Sequence, residues 1–419
     1  MSGAKKFKGY WWLPSNPERQ WFGNLRWRPS ESPELDLDYR TIDEATGSPP
    51  LQTESILGLD EGGTPISVLR LGSSGGSRSG FLSERNYNAG HVLKGIHVIT
   101  RDGFRVHRFN AWFQHLGAWL REEGFKTPSE EEDEFSVEYR RPPDRSFEIS
   151  KGVTIYLCHS ARSSFRNRQR KIAYDIFFAM SKKHSFSWVQ AFRSVDALRN
   201  LLHFACLRPI KSTRITFENL DYIFELGRER HPKTIELFNA GIEAPPKESL
   251  HEYDFVFMFE DVKTRFDTLC SDWFRFCIEQ REALGCYATT MYFNLPDQLR
   301  LISITQALEA YHQRRYRPKR DIKFKDRLKE LCSVQKTRIE EVVGSIEAFA
   351  TAVTNSRDYY THHHESIRSR GHVATGVKLT MMPYHLQFLF RLCVLSQFGI
   401  EADRYSMLRR WIPGRVIEY

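Results

Sequence analysis

Apolar residues in the first half of the chain occur in short runs that are separated by turn residues. The aromatic runs at 7–14 and 20–27 are bounded by glycine and proline, as strands often are. Further runs alternate or stay apolar over strand-like lengths; they cover 66–71, 96–100, 172–178, 214–217 and 221–226. Only 109–120, as a strand followed by a helix, and 188–204 carry helical patterns. The first half is therefore predicted to be mostly β with a few helices.

Three polar segments of this half are predicted to be loops. The glycine- and serine-rich segment 72–80 lacks the Gly-Lys-Ser/Thr ending of a phosphate-binding loop, so it is interpreted as a flexible turn. The acidic run 130–134 and the basic run 162–171 are interpreted as solvated loops.

The pattern changes after the proline-containing segment 244–249, which is the best candidate for a linker. Long amphipathic segments follow, and helices are predicted over 262–279, 296–313, 324–332, 338–355 and 382–398. The most apolar stretch, 379–400, includes Pro383, His385, Gln387 and Arg391, so it is predicted to be a buried helix and not a membrane span. The fold class is therefore α+β, with a β-rich domain at 1–245 and an all-α domain at 255–419.

Charge and cysteine content narrow the functional class. The chain has 419 residues and a net charge of +9, which favours an anionic partner, most commonly nucleic acid. Seven scattered cysteines without a Cys-x-x-Cys pair argue against a disulfide framework and against a zinc ribbon. Because the N-terminus carries no apolar signal region, a cytoplasmic location is expected.

The segment 354–364 carries the most informative chemistry. Arg357 is a permanent cation, and His362, His363 and His364 follow it with four, five and six residues between. An arginine can hold a phosphate through its bidentate fork while a histidine moves a proton, which suits cleavage of a phosphodiester without metal. The R-x4-6-H pattern is weak by itself. The pairs 101/107 and 108/115 also match it.

Helix geometry restricts how this pair can act. Residues five apart on a regular helix lie about 140° apart around its axis, so Arg357 and His362 would face different sides. A helix end or kink between them is needed, or one partner comes from a second protomer. His364 shares the face of Arg357 but lies about 10 Å along the axis.

Several motifs, taken in order, resemble the ApeA-like HEPN family. In the helical half they are Leu-Glu-Ala-Tyr-His at 308–312, the segment 325–331, Asn-x-Arg-x4-His at 355–362 and the final apolar helix. The N-terminal half resembles the domain that accompanies HEPN in this family through 9–14, 21–25 and 58–71. The resemblance implies a bacterial antiviral ribonuclease in which two HEPN domains pair, so that two R-x4-6-H motifs form one cleft. Asp358 stands where the family commonly has another polar residue, often asparagine.

The resemblance also implies roles for individual residues. We expect Arg357 to clamp the phosphate and His362 to act as acid or base, with Asn355 and Glu309 orienting them. Residues expected to contact the substrate are Arg314, Arg315, Arg317, Lys319, Arg320, Asp358 and His364. No metal or other cofactor is expected. The expected partners are RNA, with tRNA as the first candidate, a second or further copy of the chain and a phage-derived activator, and no membrane.

Two other functions stay open at this stage. The dense group His362, His363, His364 and His372 with Glu365 suggests a metal site, although adjacent histidines on a helix face apart. A HEPN module that senses nucleotide or RNA without cutting it is the other alternative. Arg357 and Asp358 are also compatible with a solvated helix end, and Tyr359 and Tyr360 with ordinary packing.

Overall fold

The computed structural model describes the chain over 3–40, 49–79, 82–100, 102–122, 124–126, 138–166, 169–206, 208–226, 229–317, 322–363, 366 and 372–400. It divides into two compact units. Unit 1 holds residues 1–199 and 210–250, and unit 2 holds 200–209 and 251–419. Unit 1 is built mainly of strands and unit 2 of helices, so the predicted α+β class is confirmed.

Unit 1 contains one large antiparallel sheet. Its strands are β1 (Lys5–Leu13), β2 (Asn16–Trp27), β3 (Glu34–Arg40), β4 (Gln52–Asp60), β5 (Pro65–Ser79), β6 (Leu82–Lys94), β7 (Arg105–Phe113), β10 (Arg145–Ser150), β11 (Val153–Arg166), β12 (Gln169–Ser187), β13 (Ser212–Leu226) and β14 (Glu229–Phe238). The short strands β8 (Phe125–Lys126) and β9 (Glu138–Tyr139) pair separately. The helices are α1 (Leu116–Leu120) and α2 (Trp188–Cys206), and α2 belongs to unit 1 only up to residue 199.

The first six strands close into a ring. Neighbouring strands follow the order β6-β3-β2-β1-β4-β5, and β5 pairs back onto β6. Alternation along these strands turns Trp11, Trp21 and Leu25 inward, where all three are buried. Gly58 allows the close packing, because a Cβ there would lie 2.3 Å from Cε3 of Trp11. The other large strands continue from β6 in the order β14-β13-β7-β12-β11-β10.

Unit 2 is a helical bundle. Its α-helices are α3 (Phe259–Val262), α4 (Phe266–Glu279), α5 (Arg281–Tyr292), α6 (Asp297–Tyr316), α7 (Phe324–Ser333), α8 (Lys336–Val343), α9 (Ile346–His362) and α10 (Gly376–Gln397).

Helix α10 crosses the core of this bundle, which confirms the prediction of a buried helix at 379–400. Its polar residues find buried partners on α5: Nε of Arg391 donates to the Tyr287 hydroxyl over 2.6 Å, and Nε2 of Gln387 donates to Oγ1 of Thr290 over 3.0 Å. None of the helices in the described part of the chain combines the length and hydropathy needed to cross a membrane.

The secondary structure predicted for three segments of unit 1 is wrong. Residues 72–79 belong to β5 and not to a loop, because their pairing with β6 outweighs the weak strand preference of glycine and serine. The described parts of 162–171 belong to β11 and β12, which pair as a hairpin. Segment 96–100 is not a strand, because Ile96 and Val98 hydrogen-bond the Ser67 side chain. The acidic run 130–134 lies outside the described residues.

The helix predicted over 338–355 is also wrong, because it is two helices. Gly344 lies between α8 and α9 with a φ of 69°, a left-handed conformation that suits glycine. Ser345 then caps α9, and its side chain accepts a hydrogen bond of 3.2 Å from the amide of Ala348. Helix α8 therefore ends and helix α9 begins within the segment that was predicted as one continuous helix.

Candidate active site

Helix α9 carries the motif on one unbroken element. It runs to His362, and His363 follows in the left-handed region with a φ of 53°. The amide of His363 donates to the carbonyl of Tyr359 over 2.6 Å, which closes the helix. Since no break separates Arg357 from His362, the two side chains leave the axis about 140° apart. The structure does not place both on one helical face within one chain.

Arg357 lies where three helices of unit 2 meet. Its Nη2 donates to Oε2 of Glu309 on α6 over 2.7 Å. Its guanidinium carbon lies 4.6 Å from the ring centroid of Phe324, the first residue of α7. The side chains of Arg357 and Glu309 are 26% and 32% exposed, so solvent and an anionic ligand can reach the pair. The expected association of Glu309 with Arg357 is thus present as an ion pair.

The guanidinium has donors to spare. An arginine carries five N–H groups, and the contact with Glu309 uses one of them. Within the described residues Arg357 makes no second hydrogen bond. The remaining donors can therefore face a phosphate while Glu309 and Phe324 hold the group in position.

The end of α9 is fixed by polar contacts with the segment 372–375. Ser356 is buried, and its Oγ donates to the carbonyl of Ala352 and accepts from the amide of Ala374 over 2.8 Å. The hydroxyl of Tyr360 donates to the carbonyl of Ala374 over 2.9 Å. Tyr360 therefore has a packing role here. His362 and His363 are exposed, and His364 lies outside the described residues.

Asn355 and Asp358 are not joined to Arg357. Both are half-buried on α9, and neither makes a side-chain hydrogen bond within the described residues. Asn355 precedes Arg357 by two positions, which places the side chains about 160° apart around the axis. Their predicted roles in orientation and substrate contact therefore remain predictions.

The basic residues predicted to contact substrate lie in different surroundings. Arg314 forms an ion pair with Glu282 of α5, which partly neutralises it. Arg315 is exposed and lines an open cavity of about 410 Å³ between α4, α6 and the end of α10. Arg317 is exposed and ends α6 with a φ of 44°. Lys319 and Arg320 lie outside the described residues.

Sequence reasoning missed the contact of Phe324 with Arg357 and the bond between His312 and Glu330. Phe324 matched only the apolar face of an amphipathic helix, so its position under a cation was not visible. His312 is fully buried one turn after Glu309, and its Nε2 lies 2.6 Å from Oε2 of Glu330 on α7. This bond and the Arg357 contacts tie α6, α7 and α9 together. The spacing of three between Glu309 and His312 was the only available signal.

The described residues contain no group of three or more histidine, cysteine, aspartate or glutamate side chains arranged to hold a metal ion. His364 and Glu365, from the alternative metal cluster, lie outside those residues. Around Arg357 the structure shows a partly exposed cation that is held by Glu309 and by the ring of Phe324.

Two family models match the chain, and together they cover most of it. The family model for ApeA N-terminal domain 1 matches residues 6–273. The model for the Apea-like HEPN domain matches residues 302–404, which include Glu309, Phe324, Arg357 and His362. A search of the curated proteins found no significant match, and a search of the solved structures found none either.

Proposed function

The chain belongs to the family of ApeA-like HEPN proteins, and from this membership we propose that it is an endoribonuclease that acts without metal in defence against phage. Proteins with a HEPN domain are generally ribonucleases, and the domain typically binds RNA and dimerises. The observation that carries the proposal is the position of Arg357. A cation that is fixed from two sides and open on the others suits a phosphate that gains charge during reaction.

The reaction uses the nucleophile that RNA itself carries. A neutral His362 takes the proton of a ribose 2′-hydroxyl, and O2′ forms a bond to the adjacent phosphorus. The bond from phosphorus to O5′ breaks, and a protonated imidazole gives its proton to O5′. Arg357 stabilises the extra negative charge of the phosphorane through its free N–H donors. The products are a 2′,3′-cyclic phosphate and a 5′-hydroxyl.

Pairing of two copies supplies what one chain lacks. On the unbroken α9, Arg357 and His362 face about 140° apart, so one chain does not present both to the same phosphate on one helical face. A two-fold arrangement brings Arg357 of one copy towards His362 of the other and provides two imidazoles. One imidazole then acts as the base and the other as the acid.

The proposed substrate is RNA, because exposed arginines near the site can bind its phosphates. Arg315 and Arg317 are exposed at the end of α6, the helix that carries Glu309, and they can contact the RNA backbone. The proposed contacts of Arg314, Lys319, Arg320, Asp358 and His364 rest on the sequence alone, as does an orienting role for Asn355. Transfer RNA is the first substrate to test, because its loops expose flexible phosphates.

Residues 1–245 are proposed to sense a phage component or restrain the nuclease, and 255–419 to form the nuclease domain. The packing of Phe204 affects how this is tested. Residues 200–209 cluster with unit 2, and the ring of Phe204 lies 5.4 Å from that of Trp273. A fragment meant to isolate the nuclease therefore has to retain the end of α2. If phage dependence is unchanged in such a fragment, the regulatory role is wrong.

The decisive experiment incubates purified protein with total RNA in EDTA and maps the fragment ends. Wild type should give cyclic phosphate and 5′-hydroxyl ends, and Arg357→Ala should give none. Arg193→Ala, at an exposed arginine of α2, is the matched control and should cut like wild type. Cleavage by Arg357→Ala at the wild-type rate, or loss of wild-type cleavage in EDTA, would overturn the proposal.

A sensing module without catalysis is the second candidate. It is favoured by one observation, that Arg357 and His362 face different sides of α9 in one chain. Such a module binds RNA through Arg357 and cuts nothing. If wild type and His362→Ala both leave RNA uncut, while Arg357→Ala loses the RNA binding that wild type shows, this second function replaces the first.

A further inference from the structure

The outer face of β1 and β2 in unit 1 presents two exposed aromatic rings side by side. Tyr10 and Phe22 are directly opposite each other in the antiparallel register, and their ring centroids lie 5.6 Å apart. They are 57% and 41% exposed, whereas large aromatic residues are usually buried. The inward residues Trp11 and Trp21 of the same strands already fill the core, so this pair is not needed there.

Cations continue this surface along β1. Lys6 and Lys8 alternate with buried residues and share the outward face with Tyr10. Strand β1 carries no acidic residue, and β2 carries only Glu18. The outward neighbours of Lys8 and Tyr10 on β2 are Asn24 and Phe22. On the Lys8 side of this face, the outward side chains next to Tyr10 and Phe22 are therefore polar or basic.

An acidic strand borders the surface on one side. Asp38 lies opposite Phe22, and Asp36 of the same strand forms an ion pair of 2.6 Å with Arg26. These carboxylates repel phosphates from β3. On the β4 side Asp60 pairs with Lys94 over 3.5 Å, and the exposed Glu61 follows it beside Lys8, so phosphates are expected only at the ammonium groups of the lysines. Also on β4, Leu59 lies opposite Tyr10 and is 39% exposed, which extends the apolar contact area.

From this arrangement we infer that Lys6, Lys8, Tyr10 and Phe22 form a platform for single-stranded nucleic acid, with bases stacked on the rings and phosphates near the lysines. Stacking on aromatic side chains tolerates any base, and lysines along a groove follow the backbone. The platform is separate from Arg357 and does not depend on the proposed cleavage chemistry. It would give unit 1 a role in holding a single strand.

The test uses a probe that the proposed chemistry cannot cut. A fluorescein-labelled oligothymidylate of about 12 nucleotides lacks the 2′-hydroxyl, and its length suits such a surface. Fluorescence anisotropy with the full chain should show binding that Tyr10→Ala or Phe22→Ala weakens about tenfold each. Phe22→Trp should retain it. Tyr253→Ala, at a 63% exposed tyrosine of unit 2, is the control and should bind like wild type.

Salt dependence tests the lysines independently. If Lys6 and Lys8 each contact a phosphate, the double variant Lys6→Ala/Lys8→Ala should lower the slope of log K against log salt by about 1.4. Absence of probe binding by wild type, or binding by Tyr10→Ala at wild-type strength, would overturn the inference. A change of sedimentation in Tyr10→Ala with unchanged probe binding would show instead that a second copy covers this face. RNA cleavage in EDTA, measured in parallel, keeps a failure here distinct from failure of the proposed function.

Discussion

Arg357 and Glu309 form an ion pair between α9 and α6, with Nη2 and Oε2 2.7 Å apart. Glu309 fixes the guanidinium but also offsets part of its charge. Glu309→Gln keeps an acceptor of the same shape and removes the charge. We expect cleavage in single-turnover assays to fall about tenfold, because a neutral amide holds the cation less firmly.

Measuring the stability of Glu309→Gln separates a loss of cleavage at the site from damage to the fold. The pair is about one-quarter to one-third exposed, so its loss should cost no more than about 1 kcal/mol in urea unfolding. Glu260→Gln, which removes the exposed pair between Glu260 of α3 and Lys263 just after that helix, is the matched control and should cut normally. A faster Glu309→Gln enzyme would mean that the carboxylate restrains Arg357 rather than positions it.

Phe324 should matter as an aromatic ring and not only as core. Its centroid lies 4.6 Å from the Arg357 guanidinium, and the side chain is 7% exposed. Phe324→Leu keeps most of the buried volume and removes the cation–π contact, which is worth about 0.5–2 kcal/mol. Cleavage should fall several-fold with a small loss of stability, and Phe324→Tyr should retain cleavage. Equal cleavage by the leucine and tyrosine variants would mean that Phe324 only fills space in the core and does not act on Arg357 through its ring.

His363 should be dispensable for chemistry and slightly costly for stability. It ends α9 with a φ of 53°, a conformation that glycine adopts without the penalty of a Cβ. His363→Gly should therefore raise the free energy of unfolding by about 0.5–1 kcal/mol. Cleavage should stay at the wild-type level, whereas His362→Ala should abolish it. Loss of cleavage in His363→Gly with normal melting would move the acid or base role from His362 to His363.

The fold class and the approximate bounds of α6 and α7 could be predicted from the sequence, because apolar periodicity and proline signals are local, whereas α5 was not predicted at all. The sequence did not allow the strand at 72–79 to be recognised. Glycine and serine gain their extended conformation there from pairing with β6, which no local pattern records. The same limit applies to the site. Arg357 and Glu309 were found through a family pattern, but Phe324 under the guanidinium is a contact between helices that spacing does not encode.

Buried His385 should make stability depend on pH. Burial lowers the pKa of this imidazole on α10 to about 4, well below its ordinary value. Between about pH 6.5 and about pH 4, His385 is protonated in the unfolded chain but stays neutral in the folded chain. The contribution of His385 is therefore complete above about pH 6.5, and it falls by up to about 1.4 kcal/mol per pH unit as the solution is acidified.

His385→Leu isolates this contribution, since other groups also titrate as pH falls. The measurement is urea unfolding at about pH 7 and about pH 5 for wild type and variant. The leucine variant should lose less stability than wild type over that interval, by about 1–2 kcal/mol. His372→Leu, at an exposed histidine, is the matched control and should follow wild type. Parallel loss in wild type and His385→Leu would mean that this imidazole is protonated as readily in the folded chain as in the unfolded one, against its burial in the helical core.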